Sequence, residues 1–227
     1  MPGGYTGKIL RVNLTTKEIS RIDTARYEEF GGGHGIGSAV FFDLVGDQLP
    51  FEAFDPRNLI IMMNSPFSGT FVPGSGRCEV QGLGPGLYPI EWFGHSNFGG
   101  RFTAQLKFAG WDGIVVEGAS DKPVWINIMD DQVKIEDANG VWGMDTWDTQ
   151  QEISRRVVPA LKEGEWAELA SSCYTTQIPA VVCCGPAGER KSRIACLLHG
   201  AGSQAALCGF GGVFGSKNLK AISAIGT

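Results

Sequence analysis

Two stretches of this chain place polar side chains beside a paired glycine, the arrangement a backbone uses to approach an anion. Residues 98–107 read FGGRFTAQLK and residues 210–220 read FGGVFGSKNLK. Each has an aromatic, a double glycine, a second Phe and then Leu-Lys. Asn97 stands directly before the first copy, where its amide either contacts a ligand or serves the turn. Gly99 and Gly100 let backbone N–H groups reach a ligand. Arg77 opens an alternating stretch after Gly74-Ser75-Gly76. Its guanidinium can grip a phosphate through two parallel hydrogen bonds, and the alternative is a surface salt bridge. A glycine turn that recurs implies two related half-sites with a ligand between them.

The remaining chemistry-bearing residues give weaker signals. Gly31 to Gly37 reads GGGHGIG, but it follows no clear strand and no acidic residue lies at the dinucleotide-binding distance, so a Rossmann reading is rejected. His34, His95 and His199 are isolated, and none has a Cys or carboxylate at triad or zinc-protease spacing. His34 and His95 lie in glycine-rich stretches near a cleft. Cys183 and Cys184 sit in an apolar run and read as buried structural thiols; no C-x-x-C occurs among the six cysteines. Lys107, Lys217 and Lys220 read as solvated charges, with a phosphate contact as the alternative. Trp111, Trp142 and Trp147 read as core.

Composition narrows the class. The 227 residues carry a net charge of −5 without a basic stripe, which excludes a nucleic-acid partner. The N-terminus lacks the pattern of a signal peptide, and no run of 18 apolar residues appears, so a cytoplasmic protein without a membrane span is expected. The 33 glycines are about twice the usual share of roughly 7% and cluster in short turns.

The elements follow from periodicity. Residues 7–13 and 18–22 form a hairpin, and 25–30 a short helical stretch. A helix runs from Gly37 to Leu44 with the glycine cluster at its N-terminus, where an anion is favoured. Residues 59–63, 77–81, 113–117, 123–129, 132–136 and 179–184 are strands; 82–96 is a loop carrying Tyr88, Trp92 and His95; 102–109 and 145–161 are helical. Within 55–118 and 179–227 the order repeats: apolar strand, Pro turn, Arg-led strand, loop, FGG, Leu-Lys, strand. In that alignment Arg193 answers Arg77. The fold class is α+β, two similar antiparallel β-rich halves related by a pseudo-twofold, in one domain over 1–227.

The assembled motifs resemble the N-terminal domain of the tungsten-containing aldehyde ferredoxin oxidoreductase family. They are GYTGKILRVNLTT at 4–16, DPRNLIIMMNSPFSGT at 55–70, GSGR at 74–77, SNFGGRFTAQLKFAGWDGIVVEG at 96–118, GPAGE at 185–189 and GSKNLKAI at 215–222. The resemblance implies a tungsten or molybdenum bis-pterin, one pterin on each half, and a magnesium ion bridging the pterin phosphates. By motif position it assigns Arg77, Asn97, Gly99 and Gly100 to the first half-site and Gln204 and Ala206 to the second, with Asn97 and Gln204 at the magnesium. No catalytic residue is assigned within this chain. The implied reaction oxidises a small-molecule aldehyde to a carboxylic acid, with electrons passing through a 4Fe-4S cluster to a ferredoxin-like acceptor. The cluster would come from C-terminal domains or from an iron–sulfur partner subunit, without which the chain is expected to be inactive; a homodimer is a further arrangement open to it. The second half departs from the family: an Arg-Ala-x-Gly-Arg-Gly-Gly element is replaced by Ser203-Gln204-Ala205-Ala206-Leu207-Cys208-Gly209, and a family Arg by His34. That departure keeps two alternatives open, a non-catalytic scaffold or assembly subunit without cofactor, and a relative acting on another substrate such as an aromatic thioester.

Overall fold

Alternating apolar residues pair Lys8–Asn13 (β1) with Ile19–Asp23 (β2) as an antiparallel hairpin. The computed structural model describes residues 3–87, 89–159, 166–170, 173–175 and 177–227. Tyr88 and Leu161 lie outside the described residues. Two 3-10 turns, Thr24–Arg26 and Glu28–Phe30, lead into α1 (His34–Val45). The helix starts three residues ahead of expectation, because burying Ile36 outweighs the cost of helical Gly35 and Gly37, about 1 kcal/mol each. The glycine cluster does not present free donors: the N–H groups of Gly31, Gly32 and Gly33 go to Glu28 O, Phe30 O and Asn64 O.

β3 (Ile60–Met63), β4 (Cys78–Gly84) and β5 (Trp92–Phe98) follow as an antiparallel set. Most of 82–96 is therefore strand, with Trp92 and His95 on β5. Glycine disguises this ladder because another segment lies across it: a Cβ on Gly84 or Gly94 would come within 2.6 or 2.7 Å of Cys208. α2 (Phe102–Phe108) and β6 (Gly113–Glu117) complete a sheet of order β2-β1-β6-β3-β4-β5.

The second sheet is built the same way. β7 (Val124–Met129) and β8 (Gln132–Asp137) form a hairpin, and α3 (Thr146–Val157) follows it. Asp145 caps α3 by accepting from the N–H groups of Trp147 and Asp148. α3 ends at Val157, four residues earlier than expected, because Pro159 bars Val158 from helical geometry. A two-stranded ribbon, β9 (Ala167–Ala170) and β10 (Cys173–Thr175), precedes β11 (Ala180–Cys184). Then come the single turn α4 (Pro186–Glu189), β12 (Leu197–His199), β13 (Ser203–Ala205), α5 (Phe210–Ser216) and β14 (Leu219–Ile225).

The order β13-β12-β11-β14-β7-β8 repeats that of the first sheet read from β5. Strand directions also match, since only β1–β6 and β7–β14 are parallel. The fold is α+β with two six-stranded mixed sheets. Its topological repeat spans Lys8–Glu117 and Val124–Ile225, taking in hairpins whose side chains have little in common. Two local readings change. Residues 193–196 are not strand; β12 begins at Leu197. The second FGG is not a turn but the first turn of α5, and Cys208 and Gly209, at φ 68° and 75°, supply the reversal before it.

The main core lies between the sheets. It joins Leu10, Ile60 and Val116 to Ile126, Val182 and Ile222, with Phe102 of α2 and Phe214 of α5 among them. α1 covers the other face of the first sheet and α3 that of the second. Trp111 is buried, whereas Trp147 is 49% exposed. Lys107, Lys217 and Lys220 are not solvated. Lys107 pairs with Asp112 at 2.6 Å. Lys217 and Lys220 are fully buried, Lys217 donating to Pro56 O and Gly118 O and Lys220 to Met144 O and Glu189.

Burial pushes the Lys217 ammonium down from 10.5 to about 7, against the upward pull of Glu117 and Asp55. Between those values the unfolded chain holds a proton that the folded protein has released. This group therefore makes stability rise with pH across that window, by up to about 1.4 kcal/mol per pH unit, and contributes no slope below it. Lys217→Met is expected to reduce the slope of unfolding free energy between about pH 7.5 and 10. Denaturant titrations at a series of pH values measure it, and equal slopes in both proteins would contradict the assignment.

Candidate functional site

The edge strands β5 and β13 lie against each other where the two sheets meet. At this junction the turn after β5 is held from the opposite half. Gly99 N–H donates to Ser203 Oγ at 2.6 Å, and Arg101 N–H donates to His199 Nε2 at 3.1 Å. His199 Nδ1 lies 2.7 Å from Val181 O, so it carries the proton and leaves Nε2 as acceptor. The ring is thereby fixed as a neutral tautomer. Burial pushes its pKa down and the nearby Arg101 adds to this, while the bond to Val181 opposes it. Gly100 sits at φ 100°, and a Cβ there would lie 2.6 Å from His199 Cδ2. The N–H of Gly99, expected to face a ligand, is therefore engaged with Ser203.

The strand registers show how the two half-sites correspond. Counted from Pro66 and Pro186, they put Gln204 at the position of Asn97, Ala206 at that of Gly99, and Cys196, not Arg193, at that of Arg77. Arg77 Nη1 donates to Asn97 Oδ1 at 2.7 Å. Its counterpart Cys196 has Sγ 3.6 Å from Gln204 Oε1. Arg77 makes no ion pair with a carboxylate among the described residues, and its guanidinium is exposed. Arg193 pairs with Glu91 at 2.6 Å and donates to Pro85 O. One half-site thus has a cation and the other a thiol at the same place. Beside the turn opens a cavity of about 540 Å³, lined by Gly100, Arg101, Gln150, Arg155, Ile178 and His199.

A second cluster shares the face of β4 and β5 that carries Asn97. His34 Nδ1 and His95 Nδ1 lie 3.1 and 2.7 Å from the same oxygen of Glu79. The two rings meet edge to face with centroids 4.6 Å apart. Sequence spacing hides this group, because its members come from α1, β4 and β5. Alternation did place Glu79 and His95 on one face once both strands were known.

Two sheets of matching topology thus meet at a glycine turn, with an Arg–Asn pair at one edge. Residues 9–226 match the family model for the aldehyde ferredoxin oxidoreductase N-terminal domain, and the chain belongs to that family. It is 39% identical over 223 residues to a tungsten-containing aldehyde ferredoxin oxidoreductase of Pyrococcus abyssi, covering 96% of this chain and 33% of that protein. It is 29% identical to the WOR-like subunit of an aliphatic sulfonate oxidoreductase of Pyrococcus furiosus, covering 98% of this chain and 35% of the other. Among solved structures it is similar to a chain of the active-site complex BamBC of benzoyl coenzyme A reductase in complex with 1,5-dienoyl-CoA. That match has a TM-score of 0.85 and 30% identity, and covers 100% of this chain and 32% of the other. The chain spans about a third of the length of the curated relatives it matches. No described helix is long and apolar enough to cross a membrane.

Gly100→Ala places a side chain at a left-handed backbone position against the buried imidazole. It is expected to destabilise the protein by about 2–3 kcal/mol, measured by chemical denaturation. A loss below about 0.5 kcal/mol would mean that the turn is not clamped.

Proposed function

We propose that this chain is the metallopterin-binding part of a tungsten or molybdenum oxidoreductase that converts aldehydes to carboxylic acids. Membership of the family supports this, and the Arg77–Asn97 pair beside the Gly99-Gly100 turn carries it. An exposed guanidinium oriented by an amide, and paired with no carboxylate among the described residues, has the donor chemistry of a phosphate anchor. The donors present fit one anionic group at the first half-site. Asn97 and Gln204, at matching register positions, are the residues that would lie nearest a magnesium ion, which would offset the charge of the cofactor's phosphates. When bound, the cofactor supplies the two-electron redox chemistry. The chain's own part is to hold it, with the clamped turn limiting movement. Residues outside this chain, in C-terminal domains or a partner subunit, would supply the 4Fe-4S cluster and the route to a ferredoxin-like acceptor in the cytoplasm.

Two observations favour second readings. Cys196 stands where the first half has Arg77, so the second half-site lacks a matching cation. That favours a scaffold or assembly subunit that keeps the fold without the cofactor. Similarity to the benzoyl coenzyme A reductase complex favours a thioester substrate in place of an aldehyde. Metal and pterin analysis of the full-length protein, purified with its native partners from cells supplied with tungstate and molybdate, separates the cofactor-binding readings from the scaffold, and comparing turnover of an aldehyde with that of an aromatic thioester separates the two substrates. Tungsten or molybdenum with pterin is expected, and absence of all three would refute the cofactor-binding reading.

A further inference from the structure

We propose that His34, Glu79 and His95 form a binding site for a divalent first-row transition-metal ion. Two imidazoles and one carboxylate are a donor set that suits zinc(II) and iron(II), leaving further positions for other ligands. One ligand atom from each residue can be chosen so that all lie within 4.8 Å of one another. A tetrahedral ion with bonds of about 2.1 Å holds its ligand atoms about 3.4 Å apart. The observed 3.1 and 2.7 Å approaches of the two Nδ1 atoms to Glu79 need to widen by only about 0.3–0.7 Å.

The hydrogen bonding around His34 accommodates such an ion. Its Nδ1 lies 3.1 Å from a Glu79 oxygen, which needs a proton on that nitrogen, and 2.9 Å from Gln81 Nε2, which needs a lone pair there. A proton on Nδ1 serves Glu79, whereas without it the lone pair faces the carboxylate. A cation between His34, His95 and Glu79 uses the Nδ1 lone pair and the carboxylate together. Gln81 Nε2 then keeps two acceptors, His34 O at 3.0 Å and Ser38 Oγ at 3.1 Å. Both histidine side chains are about half exposed, 55% and 51%, so an ion can enter from solvent and retain an outer ligand. Three elements that are distant in sequence would be joined at one point. None of the residues assigned to the phosphate anchor takes part, so failure of this site leaves that reading standing.

Full-length protein, freed of loosely held metal with a chelator, is titrated with Zn²⁺ against a chromophoric competitor and separately with Co²⁺. Expected is a Zn²⁺ site that also gives visible Co²⁺ d–d bands. His34→Ala, His95→Ala and Glu79→Gln should each weaken Zn²⁺ binding by about 100-fold or more, with circular dichroism unchanged. A wild-type protein that takes up no Zn²⁺, or uptake that survives all three substitutions, would overturn the proposal.

Discussion

The turn Gly99–Arg101 is fastened to the other half of the molecule by two hydrogen bonds, one to Ser203 and one to His199. Both acceptors come from the β12–β13 hairpin. His199 can accept only because Val181 holds its proton on the far nitrogen. The imidazole is buried, so a charged ring here would be costly and the neutral tautomer is the stable one. Gly100 is required because any side chain would displace that ring. This junction fixes β5 against β13. Packing reinforces the same edge, with Cys208 seated against Gly84 and Gly94 and Leu207 N–H donating to Ser96 Oγ.

The halves share topology and register, yet their polar equipment is unequal. Arg77 and Asn97 are paired on one side, and the matching positions hold Cys196 and Gln204 on the other. Burial pushes the neighbouring Cys184 thiol up to about 12 and leaves it neutral, so it adds no charge to this side of the junction. Any group with two anionic ends would meet a cation at the first position and only neutral donors at the second. The histidine–glutamate cluster lies on the first half as well, with Glu79 directly opposite Asn97 in the β4–β5 register. Polar chemistry is thus concentrated around β4 and β5.

Much of the fold was legible in the sequence. Alternation located β1, β2, β7 and β8, and the apolar runs located β3 and β11. The repeated FGG pointed to two related halves, but the registers place its copies at different positions, Gly99 corresponding to Ala206 and not to Gly211. Where reading failed, the cause was contact between segments distant in the chain. Residues 82–96, which hold the end of β4 and most of β5, looked like a loop because their glycines make room for Cys208. Lys217 and Lys220 looked solvated because nothing local reveals the carbonyls and carboxylate that bury them. Arg193 was matched to Arg77 by residue type, whereas the strand register selects Cys196. The roles of Ser203 and His199 in holding the turn had no signal in sequence, since each lies about one hundred residues from its partner.

The inequality of the two half-sites is tested most directly by two substitutions compared side by side in the full-length protein, Arg77→Ala and Cys196→Ala, with tungsten, molybdenum and pterin measured in each. Arg77→Ala should lose most of the bound metal and pterin, while Cys196→Ala should retain them. Equal retention, or a larger loss from the Cys196 substitution, would contradict the assignment of Arg77 as the charged anchor.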